Sequence, residues 1–281
     1  MKNNRRLWLK ALTVTPLFSL LPAGADELAA LRQRGRLRIA VYNDFPPYAM
    51  SGGKGIDADI GRAIAEKLGL APEIVGFNAD EDMNDDLRNM VWKGHYLGTQ
   101  PADVMLHVPV DENLARANDK VRIFGAYHRE TLALARNPDI VPALAGSAAV
   151  ALEIFTREKI GVETASLADS FLMGALSGRL RDNVVHFKTV GDATKGLLDG
   201  RIAAILAPRA ELESALLGQT RFPIDASRFA ELKVDSWPLG MAVKVEDAAL
   251  AEAIGAALAD LKRDGSLAAI FKRHGISYLP A

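Results

Sequence analysis

Cysteine is absent from the 281 residues, which excludes thiolate catalysis, iron–sulfur clusters, cysteine zinc sites and any disulfide support. The apolar run 11–21 is too short for a membrane span and is bounded or broken by Pro16 and Pro22. Internal repeats and low-complexity tracts are lacking as well, which removes solenoids and disordered tails. Basic residues are not in excess, with 34 Lys+Arg against 35 Asp+Glu, so the charge balance argues against a nucleic-acid partner. What is present is 49% hydrophobic and 25% charged residues, the make-up of a globular chain long enough to bury one large or two medium cores without metals.

The first 25 residues differ from the rest. Lys2, Arg5, Arg6 and Lys10 precede the apolar run, and Ala23-Gly24-Ala25 follows it, which reads as a secretory signal cleaved before Asp26. Arg5-Arg6-Leu7-Trp8-Leu9-Lys10 also resembles a twin-arginine export box, and the choice of export route stays open. No acidic residue precedes Asp26, so the chain from that point carries a net charge of about −5. The expected destination is a periplasm, whose oxidising chemistry a cysteine-free protein does not need.

From Leu37 onward, short β-branched or aliphatic runs alternate with helical patterns, an α/β signature. Strands are expected at 37–42, 72–77, 102–106, 131–135, 159–163, 184–189, 203–207 and 239–244. Helices are clearest at 57–68, 166–176, 250–262 and 268–274. Ile60, Ile64, Ala65 and Leu68 give the first of these a single core face, and Gly69 supplies its stop. Ala251, Ile254, Leu258 and Leu261 do the same near the end of the chain.

Several stretches resemble a known family. Leu37-Arg38-Ile39-Ala40-Val41, then Phe45-Pro46-Pro47-Tyr48, then Gly55-Ile56-Asp57-Ala58-Asp59-Ile60 are similar to the opening of family 3 extracellular solute-binding proteins related to amino-acid receptors. Leu197-Leu198-Asp199-Gly200-Arg201-Ile202 and Leu261 through Gly275 resemble the family's later motifs. The resemblance implies a periplasmic-binding-protein type II-like α/β fold, with two lobes joined by crossing strands near 127–135 and 232–242 around a cleft. It places lobe 1 at 26–130 plus 240–281 and lobe 2 at 131–239. The stretches 83–98 and 101–111 are more similar to the solute-binding-like proteins encoded beside PQQ-dependent methanol dehydrogenases, the MoxJ/XoxJ type. That implies an accessory role in maturing or activating a quinoprotein alcohol dehydrogenase, through contact with its apo form.

The family's carboxylate clamp would fall on Arg116, displaced by about one residue, because a guanidinium matches a carboxylate in two-pronged fashion. Its amine-binding Asp is replaced by Pro208, followed by Arg209, so an α-ammonium loses its partner and ordinary amino-acid binding is not expected. A helix N-terminus after Glu163, Thr164, Ala165 and Ser166 could hold an anion through backbone N–H groups, although the Glu163 charge opposes one. Asp44, Phe45 and Tyr48 belong to the loop after the first strand, where an aromatic either stacks on a ligand or closes the core. Trp92 and Tyr96 flank Lys93-Gly94-His95 and are read as buried beneath the loop or, if exposed, as interface anchors. His95 and His107 lack an evident third metal ligand and are read as polar cleft residues with Pro109 and Asp111. Asp80, Asp82, Asn84 and Asp86 alternate as in a calcium loop, but Asp85 and Val91 occupy the positions that need Gly and Glu, so an acidic helix start is expected instead.

No metal and no cofactor is expected. The favoured reading is a non-catalytic, monomeric, periplasmic accessory protein for a PQQ-dependent dehydrogenase. The alternative is an ABC-transporter substrate-binding protein for a small solute other than an ordinary amino acid. The third is a dehydratase-type enzyme using His107 with Asp111 or Glu163.

Overall fold

The computed structural model describes residues 23–227, 229 and 231–281. Residues 1–22 of the expected leader, with its basic and apolar runs, lie outside the described residues. Among those described, no helix is long and apolar enough to cross a membrane.

The chain is mixed α/β. Its first part runs α1 (Ala23–Arg34), β1 (Arg36–Tyr42), α2 (Ile56–Lys67), β2 (Ala71–Phe77), α3 (Met83–Leu87), a π-helical turn (Arg88–Trp92), β3 (Val104–Pro109), α4 (Glu112–Ala117) and β4 (Val121–Arg136). The second part runs α5 (Ala148–Ala151), β5 (Ile160–Glu163), α6 (Leu167–Gly174), β6 (Val184–Phe187), α7 (Val190–Leu198), β7 (Ala204–Pro208), α8 (Arg209–Ala215) and β8 (Ile224–Ala226). It closes with β9 (Ser236–Lys244), α9 (Ala248–Arg263) and α10 (Ser266–Arg273).

Strand order is β2-β1-β3-β9-β4-β7-β5-β6, with β8 also on β4. β4 belongs to both lobes. Its residues from Val121 to Thr131 pair with β9, whereas Leu132 to Arg136 pair with β7. β1 is flanked in parallel by β2 and β3, and its near-continuous burial fits a strand covered on both faces. The crossing strands expected near 127–135 and 232–242 are therefore β4 and β9, and β4 starts six residues earlier than the resemblance placed it.

The first lobe's core gathers Ile39, Ile60, Leu106, Met241, Leu258 and Phe271. In the second lobe, successive residues of β4 and β7 serve opposite faces: Leu134 and Leu206 join one cluster, Ala133, Ala135 and Ile205 the other. After α10 the chain crosses back over both lobes. Arg129 N–H donates to Leu279 O at 2.9 Å in the first lobe, and Ser277 N–H donates to Glu213 Oε2 at 2.7 Å on α8 of the second.

Candidate functional site

The loop after β1 is stitched to the start of α2. Phe45 and Ala49 exchange backbone hydrogen bonds, Ile56 N–H donates to Pro47 O, and Asp57 N–H donates to Tyr48 O at 2.9 Å. Gly55 makes this possible at φ 116, since a Cβ there would collide with the Tyr48 carbonyl. The loop splits the aromatics: Tyr48 is fully buried, whereas Phe45 is half-buried and faces two cavities.

The first cavity, about 370 Å³, lies between the lobes. Asp44, Phe45 and Pro46 come from the first lobe. Glu163 at the end of β5, Thr189 and Val190 at the start of α7, and Glu211 on α8 come from the second. Among the described residues no Lys, Arg or His lines it. Burial, with Glu163 and Glu130 nearby, holds the Glu211 carboxyl well above its ordinary value, and no described residue donates a hydrogen bond to it. Burial also raises Glu163, opposed by a hydrogen bond from the Val190 backbone. The cleft is thus acidic and internally uncompensated.

Behind it, Glu130 on β4 is buried and accepts hydrogen bonds from Tyr48 Oη and from Thr131 N–H at 2.8 Å. Burial raises its carboxyl and the Tyr48 hydrogen bond works against that rise.

The second cavity, about 340 Å³, lies in the first lobe at the ends of β1 and β2, and His107 borders it. β3 is irregular between Leu106 and Val108, and His107 sits there at φ 64, a conformation a non-glycine residue rarely adopts. This bulge aims its side chain at the start of α2. His107 Nδ1–H donates to Asp57 Oδ2 at 3.0 Å, and Tyr127 Oη–H donates to Asp57 Oδ1 at 2.6 Å. The backbone N–H of His107 donates in turn to Tyr127 Oη at 3.1 Å. Asp57 and Tyr127 are fully buried.

The other expected site residues divide clearly. Arg116 is no clamp: its side chain is 71% exposed and pairs with Glu112 one turn back on α4. Asp111 caps that helix through Asn113 and Leu114 N–H, so it is no partner for His107. Pro109 ends β3 opposite Leu239. Arg209 is held by Glu213 at 3.2 Å and reaches the Ile224 carbonyl, not the cleft. Thr164 donates its hydroxyl to Phe187 O. The α6 N-terminus is occupied by its own side chains, Ser166 on Asp169 N–H and Asp169 on Ala165 N–H, so no anion site forms there. Glu163 and His107 lie in different cavities.

Trp92 and Tyr96 are not buried beneath the loop. Tyr96 is 87% exposed, Leu97 75% and Trp92 37%. His95 turns toward Tyr96 and accepts from Leu97 N–H through Nδ1. In the acidic stretch, Asp82 caps α3, Asp86 accepts from Tyr42 Oη at 2.6 Å, and Asp80 accepts from Asn89. These carboxylates serve their own chain's donors.

Asp57, Tyr127, Glu130 and Glu211 escaped the sequence reading. Asp57 stood in a quoted motif as a first-turn acid of a helix, and nothing local marked it as buried.

No family model matches the sequence, and no curated protein matches it. Solved structures do. An ancestral cationic amino-acid solute-binding protein is 17% identical, with a TM-score of 0.67, over 89% of this chain and 99% of that one. An amino-acid ABC-transporter substrate-binding protein from Streptococcus pneumoniae, bound to L-arginine, is 17% identical with a TM-score of 0.61, over 90% and 99%. The L-cysteine solute receptor of Neisseria gonorrhoeae is 19% identical with a TM-score of 0.58, over 88% and 92%. The chain has the two-lobed mixed α/β fold of periplasmic solute-binding proteins.

Proposed function

We propose that this chain is a solute-binding protein of an ABC-type uptake system, exported by its leader-like N-terminus, whose cleft takes a small organic cation without a carboxylate. One observation carries the reading: the interlobe cavity presents Glu163 and Glu211 with no cationic side chain among the described residues to neutralise them. A carboxyl kept from water without a partner is costly, and an ammonium or guanidinium group would relieve that cost. A zwitterionic amino acid would meet no guanidinium there, since Arg116 and Arg209 are both engaged elsewhere. The test is calorimetric titration of the full chain with putrescine, arginine and glutamate. Putrescine is expected to bind most tightly, with affinity falling as salt rises and weakening about tenfold or more in Glu211→Gln. Tight binding of glutamate, or indifference of the purified chain to every cation, overturns the reading.

A second reading, the dehydrogenase accessory role, is favoured by the exposed Trp92, Tyr96 and Leu97, which suit a protein contact. Its test is retention of an apo PQQ-dependent alcohol dehydrogenase on the immobilised chain. Retention that Trp92→Ala with Tyr96→Ala abolishes supports it, and a parent chain that retains no dehydrogenase removes it.

A further inference from the structure

We propose that the first-lobe cavity is an aryl subsite and that the solute is a hydroxylated arylalkylamine. The proposal rests on the cationic cleft reading and extends it. Asp44 and Phe45 border both cavities, so the acidic interlobe space and the first-lobe pocket meet across Phe45. A ligand with its ammonium group beside Glu211 can therefore carry its other end past Phe45.

The second pocket is more apolar than the first, although Asn43, Asp44 and Asn78 also line it. Tyr42, Phe45, Phe77 and Met83 give it apolar walls, and its volume suits one substituted ring. The Phe45 ring lies edge-on to Tyr42, centroids 5.9 Å apart, and edge-on to His107 at 4.7 Å. Walls of this kind accept another ring at favourable angles.

Among its polar groups, Asn43 and Asn78 pair with each other, and His107 is the one held in a fixed orientation from behind. Asp57 takes the Nδ1 hydrogen and is itself fixed by Tyr127, so the tautomer and ring orientation are set from behind. Nε2 is then the remaining polar atom, with no hydrogen-bond partner among the described residues, on a side chain that borders the pocket. A phenolic O–H can donate to it. A left-handed backbone at a non-glycine residue is strained, and here it places this ring.

The test is calorimetry and thermal shift on the full chain with four probes: tyramine, 2-phenylethylamine, putrescine and p-cresol. Tyramine is expected to bind about tenfold or more tighter than putrescine, with 2-phenylethylamine between them. In His107→Gln the ratio of tyramine to 2-phenylethylamine affinity should fall to about one. Met83→Trp, which fills the pocket from its half-buried rim, should weaken both aryl amines about tenfold and serves if the first variant fails to fold. Equal affinity for putrescine and both aryl amines overturns the subsite and leaves the cationic cleft standing. Saturable p-cresol binding without any amine binding supports the subsite and removes the cationic reading. Binding of none of the four overturns both.

Discussion

His128 carries the clearest acid sensitivity of any single side chain. It is buried on β4, stacked on Phe271 at 4.4 Å, and accepts from Leu279 N–H through Nδ1. Burial, with His107 nearby, pushes it down from 6.5 to about 4. The unfolded chain binds a proton near 6.5 and the folded ring only near 4, so between these values the unfolded state holds more protons. Stability is therefore lost as pH falls through that window, by about 3 kcal/mol in total. Thermal melts at pH 7 and pH 4.5 should show His128→Phe losing less on acidification than the parent. An identical drop in both would mean that other groups carry the effect. The carboxyls act in the opposite sense. Burial raises Glu211 above its ordinary value, so the folded chain holds this proton more tightly than the unfolded chain, and the site costs stability at neutral pH that acid recovers. Glu211→Gln should raise the melting temperature of the unliganded protein at pH 7, by about 1 kcal/mol of stability, while the advantage disappears near pH 4. That the same substitution stabilises the empty protein and weakens cation binding would mark a residue kept for its ligand. Residue by residue, the sequence was informative where chemistry is local and silent where it is not. His107 and Glu163 stood out as polar residues in the sequence, and they border two separate cavities. Asp57 was not, because its partners lie 50 and 70 positions away. Arg116 misled because a guanidinium four residues after Glu112 on a helix pairs along its own surface.

At the level of elements, the loop from Phe45 to Gly55 fixes both cavities. Gly55→Ala would drive a methyl group into the Tyr48 carbonyl and strain the turn that delivers Asp57. The expected loss is about 2–3 kcal/mol in denaturant titrations, with solute affinity falling alongside. Unchanged stability would show that the loop shifts to accommodate the methyl group. The regular elements with strong periodicity were read nearly to the residue: β1, β2, α2 and α9 all begin within two positions of their expected starts. The helices α4, α7 and α8 were missed because they are short and their starts rest on capping and turn chemistry rather than on long apolar stripes. Asp111 and Thr189 cap the first two, and α8 begins directly after β7 at Pro208. The hydrophobic pattern placed this strand only from 131, because Arg122, His128, Arg129 and Glu130 break the apolar alternation before it, and the resemblance extended it back only to 127. Two of these, His128 and Glu130, are buried polar groups whose hydrogen bonds come from distant segments.

For the molecule as a whole, β4 joins the lobes through one uninterrupted strand, and the tail after α10 touches both. Unfolding one lobe therefore removes strand partners from the other. Leu134→Ala, deep in the second lobe, should cost about 2–5 kcal/mol and lower a single calorimetric transition. Two transitions, with only one displaced, would show the lobes to be independent. The α/β class and the crossing strands were evident from the order of elements and the family resemblance, since both depend on sequential pattern. The meeting of the acidic and apolar cavities at Phe45 depends on how the lobes face each other, and no run of residues encodes it locally. The proposed cation site between the lobes has a practical corollary: an empty cleft lined by Glu163 and Glu211 would act as a miniature cation exchanger. Under that proposal, ammonium, Tris or spermidine carried through purification would compete for its interior, and an affinity measured in one buffer would not transfer to another unless the buffer cation is matched.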